Sequence, residues 1–286
     1  MTGAALFPLA TAAAVGFGAG YVGSLMVVRR MALVGDALSH VALPGLAVGL
    51  LFGFSPFLGA FAFVLTAAFL TWFIERSTHL AVDAVVGVLF VLALAVGVLL
   101  TPNPDLLEAL FGSVSQVGFS AMVVTIVLAV GVTLLTRRIY RSMILAVISE
   151  DLAASAGVRV ELVSLLYLTL VSTVVAVGVQ VVGTLLVGAL VIVPAAAAKT
   201  LRTNLGAYGL LSALFGVVSA VGGTALSLGS GIEAGPLVVI LGVALFLGAW
   251  GVSATRSMSR PSPSAPRTTN RGGRSKGSVL GGGPRA

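Results

Sequence analysis

Apolar runs of about twenty residues follow one another along this chain, and that is the helix length needed to cross about 30 Å of hydrocarbon. They fall near residues 6–28, 31–52, 57–74, 84–101, 121–136, 162–182, 183–198, 205–227 and 236–254. Inside a bilayer only helices and closed β-barrels satisfy every backbone polar group, and barrel strands alternate polar with apolar residues. The runs Val85 to Leu100 and Val163 to Val179 do not alternate. Only 9% of the residues are charged, against about a quarter in a soluble domain, so the chain cannot cover a water-facing surface. The expected fold is an all-α polytopic integral membrane protein, a bundle of eight or nine transmembrane segments. The run 183–198 is short enough to be a broken or re-entrant element.

A net charge of +7 raises the question of nucleic acid, but the placement of the charge answers it. Arg29 and Arg30, Arg76, Arg137, Arg138 and Arg141, and Lys199 and Arg202 sit at alternate junctions between runs. Arg256, Arg260, Arg267, Arg271, Arg274, Lys276 and Arg285 follow the last run. By the positive-inside rule all of these are cytoplasmic, which puts the N-terminus outside and the C-terminus in the cytoplasm of a multi-pass protein of the cell membrane. The opposite connectors, around Phe54–Ser55, 102–120 and 230–235, hold no Lys or Arg. No basic residue precedes Arg29, so the first run reads as a retained span rather than a cleaved signal. Two domains are expected: a transmembrane region, 1–255, and a basic cytoplasmic tail, 256–286. The tail is rich in Ser, Pro, Gly and Arg and reads as disordered. Anionic membrane lipid is a possible neighbour for its charge, a solvated tail the plainer one. Small residues at four-residue spacing, Gly16 and Gly20, then Gly45, Gly49 and Gly53, permit close helix approach, with ordinary packing inside one chain as the plain reading.

Chemistry concentrates between Arg29 and Gly45. Asp36 and His40 are four residues apart and share one face of a helix. If that helix starts in the headgroup layer at Arg30, a rise of about 1.5 Å per residue carries His40 about 15 Å deep, the midplane of the core. A carboxylate at such depth costs roughly 2.5–3.5 kcal/mol on insertion scales, and residues retained there usually line a pathway. Pro44 lacks the N–H that would bond the carbonyl of His40, so that oxygen is free beside the imidazole. Oxygen with imidazole nitrogen suits divalent Mn, Fe or Zn. The competing reading is a helix-start aspartate acting as a cap, with a histidine bonded to a neighbouring helix.

The stretch Gly35-Asp36-Ala37-Leu38-Ser39-His40-Val41-Ala42-Leu43-Pro44-Gly45 resembles the signature of ABC permeases that import zinc, manganese or iron. The resemblance continues in Ser149-Glu150-Asp151-Leu152-Ala153-Ala154-Ser155-Ala156-Gly157, similar to the family's cytoplasmic coupling helix. It returns in the apolar Gly/Pro element from Val182 to Lys199, with Pro194 as a second helix break beside Pro44. It covers the chain to about residue 255 and leaves the tail outside. It implies that Asp36 and His40 contact the metal in the translocation pathway. It also implies a homodimer of permeases, two cytoplasmic ABC ATPase subunits and an extracytoplasmic metal-binding protein. The metal is then substrate, ATP stays on the partner, and this chain binds no cofactor. The coupling segment is also coherent by itself: Ser149 is a good N-cap, Glu150 and Asp151 suit the positive end of a helix dipole, and Gly157 is a natural stop. A surface turn between spans is the plain alternative.

Glu75, His79 and Asp83, each four residues from the next, form a rival cluster on one expected helical face, although solvated charge is ordinary at such a junction. Asp105 and Glu108 lie in an external connector and are candidates for meeting a docking partner. The sequence has no Gly-x4-Gly-Lys-Ser/Thr loop and no His-Glu-x-x-His motif. A transport subunit rather than an enzyme is expected, and no cysteine is present to ligate metal. A permease for metal chelates, a secondary cation/proton transporter using Asp36 as a carboxylate relay, and a non-transporting scaffold remain the other readings.

Overall fold

A computed structural model describes residues 5–78, 80–100, 110–111, 117–201 and 204–258. Its helices are α1 (Leu6–Val28), α2 (Ala32–Leu51), α3 (Pro56–Thr78), α4 (Val82–Leu100), α5 (Phe119–Ile148), α6 (Glu150–Ser155), α7 (Val160–Val182), α8 (Val187–Thr200), α9 (Leu205–Ser230) and α10 (Ala234–Met258). There is no strand among the described residues. Among the described residues, eight helices are long and apolar enough to cross a membrane. The ninth expected segment is α8, whose 14 residues reach only about 21 Å at 1.5 Å per residue. It is a short helix inside the bundle.

Two elements outrun their apolar stretches. The 30 residues of α5 carry Arg137, Arg138 and Arg141 on the same continuous helix, and α3 continues through Glu75 and Arg76 to Thr78. Charge ends a hydrophobic run but not the hydrogen-bond ladder, so span and helix have different ends. At the other end of the chain α10 continues to Met258, and residues 259–286 of the expected tail lie outside the described residues.

Burial sorts the bundle into layers. The helices α1, α2 and α7 are interior, whereas α4, α5 and α10 turn most of their surface outward. Small residues let the interior helices approach at backbone distance. A methyl group on Gly16 or Gly20 would overlap the carbonyl of Gly216 or Ser212 on α9, and Ser212 Oγ donates to the Gly20 carbonyl. Gly45 and Gly59 are in mutual contact between α2 and α3, and a methyl on Gly49 would lie 2.7 Å from Pro56 Cα. Gly53 has φ +69 with open space around it, so it serves the α2–α3 turn rather than packing. In a lipid solvent, contact of this kind supplies association that the hydrophobic effect does not. The small-residue spacing is thus spent on packing within one chain.

Candidate metal site

The site is built on α2, which begins immediately after a sharp reversal. Here α1 ends at Val28, and Arg30 takes φ +61, a left-handed conformation unusual for a side chain larger than Asn. Met31 N–H donates back to the Met26 carbonyl at 3.0 Å. The guanidinium of Arg29 lies over the ring of Tyr167 on α7, 5.1 Å from its centroid. The chain enters α2 at Ala32, so Asp36 and His40 stand about 6 Å and about 12 Å along the helix, both partly buried.

Asp36 packs against the first turn of α8. A methyl group on Gly188 would fall 2.7 Å from both Cα and Cβ of Asp36, so only glycine fits. The carboxylate therefore lies beside a helix N-terminus, where the unpaired N–H groups and the macrodipole favour negative charge. One turn along, the fully buried Ser39 hydroxyl sits 2.6 Å from the Asp36 carbonyl and 2.7 Å from the Thr184 carbonyl in the turn between α7 and α8. Gly183, at φ +79, opens that turn. Gly188, Ser39 and Thr184 escape a reading by sequence alone. The only signal is the pair of glycines flanking the start of α8, and it does not say which helix they meet.

His40 packs edge to face on Phe90 of α4, with ring centroids 5.2 Å apart. Its buried Nδ1 has no hydrogen-bond partner among the described residues. An unpaired polar atom in a buried position is costly, so this nitrogen is available to a ligand. No group of three or more His, Cys, Asp or Glu that could hold a metal occurs among the described residues. One chain thus offers a carboxylate and an imidazole.

Pro44 and Pro194 do not break their helices: α2 and α8 run through them. Each proline instead deletes one ladder bond, to the carbonyl of His40 and of Leu190 respectively. Beside Pro44, α4 comes close because Gly97 has no side chain; a methyl there would lie 2.7 Å from Leu43 Cδ2.

The expected coupling segment is a capped helix. The Ser149 side chain accepts the Leu152 N–H at 3.2 Å, Glu150 and Asp151 occupy the first turn of α6, and Gly157 terminates it at φ +78. Ala153 is buried and Leu152 is 51% exposed. Behind α6 opens a cleft of about 910 Å³ whose lining includes Arg29, Glu75, Arg76, Glu150, Asp151 and Glu161.

The two described members of the rival cluster stand on different helices. Glu75 is near the end of α3 and Asp83 is in the first turn of α4, because the helix stops at Thr78 and a new one starts at Val82. His79, Asp105 and Glu108 lie outside the described residues.

Known proteins resemble this chain over most of its length. The model of the ABC 3 transport family matches residues 5–253. The manganese import system permease protein ScaB of Streptococcus parasanguinis is 35% identical over 243 residues, 84% of this chain and 87% of that protein. The high-affinity zinc uptake system membrane protein ZnuB of Haemophilus influenzae is 28% identical, over 79% of this chain and 88% of its own. Among solved structures, PsaBC from Streptococcus pneumoniae in complex with Fab superposes with a TM-score of 0.75 at 31% identity, covering 85% of this chain and 89% of the other. This chain is a membrane-spanning member of the ABC 3 transport family.

Proposed function

We propose that the chain is the permease subunit of an importer of divalent transition metal ions, Mn, Zn or Fe. In this reading two copies pair so that Asp36 and His40 of each face a common axis. The observation that carries it is the unpartnered Nδ1 of His40 one turn from a carboxylate seated on a helix N-terminus. One copy supplies two donors, whereas a protein site for such a metal typically uses about four; a twofold dimer supplies the rest. A pair of ligands from each subunit also explains why both side chains are left partly exposed in an apolar helix. The proposed topology has the Arg-rich ends of α1, α3 and α5 in the cytoplasm.

The relative named for manganese is 35% identical and the one named for zinc 28%, so manganese is the first metal to test. With no phosphate-binding loop in the sequence, energy comes from separate cytoplasmic ABC ATPase subunits, and an extracytoplasmic protein delivers the ion. The experiment is metal-resolved uptake into vesicles holding the permease with its ATPase. Accumulation of Mn, Zn or Fe that requires ATP supports the reading. Uptake driven equally well by a proton gradient, with no ATPase present, would assign the chain to secondary transport instead.

The exposed Leu152, framed by Glu150 and Asp151, is the proposed docking knob of α6. Leu152→Asp puts a third carboxylate at that apolar contact. It is expected to release the ATPase in a pull-down, or to leave ATP hydrolysis without uptake, while membrane insertion stays normal. Full retention of both partner and uptake would remove α6 from the docking surface.

A further inference from the structure

On the reading that α6 docks the ATPase, something must carry its displacement to α2, with which it has no direct bond among the described residues. Only the short link from Ala156 to Arg159 separates α6 from the start of α7 at Val160. One residue into α7, Glu161 gathers two contacts from α3. Its carboxylate pairs with Arg76, the only ion pair among the described residues. Its carbonyl accepts the Trp72 indole N–H at 3.2 Å. Arg76 also stacks over Trp72, 5.7 Å from the ring centroid, so the three residues form one clamp. From there α3 is locked to α2 at backbone distance through Gly45 against Gly59 and Gly49 against Pro56. The far end of α7 reaches the same helix, where the Thr184 carbonyl meets Ser39 between Asp36 and His40.

We propose that the Trp72–Arg76–Glu161 clamp transmits movement of α6 to α3, and through the α2–α3 pair to the metal-binding face of α2. The clamp residues are positioning residues that touch no metal. Their location supports a mechanical role over a stabilising one. Arg76 is 53% and Glu161 61% exposed, and ion pairs that open to solvent contribute little to stability. A contact that adds little to the fold, yet joins the first turn after α6 to the partner of α2, is placed to move with the transport cycle. It also lines the cleft behind α6, where there is room for that helix to shift.

The test uses the whole complex in vesicles and reads metal moved per ATP hydrolysed. Glu161→Gln, which removes the charge and keeps the shape, and Trp72→Phe, which removes the indole donor and keeps a smaller aromatic ring, are expected to insert normally and keep the ATPase bound. Each should lower the ratio at least about fivefold, the lower end of the coupling found between linked sites. The reciprocal exchange, Arg76→Glu with Glu161→Arg, is expected to recover most of the loss, which a simple weakening of the fold would not do. An unchanged ratio in both single variants would overturn the proposal, as would an exchange no better than its parts. Release of the ATPase by Glu161→Gln would place Glu161 in the docking surface and overturn it too. Pull-down with Leu152→Asp reports on docking itself, so a failure of that reading is seen separately from a failure of the clamp.

Discussion

Vesicles carrying Asp36→Asn or His40→Ala in an otherwise intact complex are expected to lose metal uptake by at least about a hundredfold, since loss of a mere hydrogen-bond partner of a ligand already costs 10–100-fold in metal affinity. Asn keeps the shape of the side chain against Gly188 but withdraws the anionic donor. Ala removes the imidazole whose Nδ1 is otherwise unpaired. Insertion is not expected to suffer: taking a charge out of a span relieves roughly 2.5–3.5 kcal/mol on insertion scales. Binding of the metal by the purified dimer should disappear in parallel. Acidification should weaken uptake by the unmodified protein, because imidazolium has no lone pair for a metal. If Asp36 were a cap and His40 a core residue, their loss would lower the inserted amount and leave uptake per inserted molecule unchanged. Wild-type rates from both variants at normal insertion would dismiss the site.

The second large effect is expected at a residue that binds nothing. Gly188→Val places branched carbons where Asp36 Cα and Cβ already lie 2.7 Å from a single added methyl. Overpacking of this kind costs about 1–3 kcal/mol, and here α2 and α8 can relieve it only by moving apart. The carboxylate then leaves its place beside the α8 N-terminus, and uptake should fall about 10–100-fold, as for other supports of a metal ligand. A double-mutant cycle separates this from general damage. Once Asp36→Asn has removed the ligand, adding Gly188→Val should cost little further uptake, whereas independent lesions would multiply. Normal transport by Gly188→Val would show that the fit between α2 and α8 does not hold the ligand in place.

The division between what the sequence discloses and what it withholds follows sequence distance. Hydropathy locates the spans because each buries its own backbone and answers to the bilayer rather than to its neighbours. Asp36 and His40 share a face by helical period alone, and Ser149 caps α6 through an N–H three residues away. Gly188 meets Asp36, and Thr184 meets Ser39 across 145 residues; composition carries no trace of either. The Glu75–Asp83 cluster looked continuous only because four-residue spacing was extended across a junction where the helix in fact ends. The helices α3 and α5 run past their apolar spans because Arg and Glu mark the edge of hydrocarbon, not the last turn of a helix.

The turn between α7 and α8 bears on how the protein is made. Val182, Thr184 and Val187 are fully buried although Leu185 between them is exposed, so the peptide groups of the buried residues must find protein partners. The Leu185 N–H donates to the Leu110 carbonyl at 3.1 Å, and the Thr184 carbonyl receives Ser39. Both partners come earlier in the chain, so each is already synthesised when the turn emerges from the ribosome. A turn with such partners is therefore delivered into a scaffold assembled from the preceding helices, and α9 and α10 are added after it. Biogenesis thus has a built-in order, in which the first half of the chain acts as the template against which the buried turn folds.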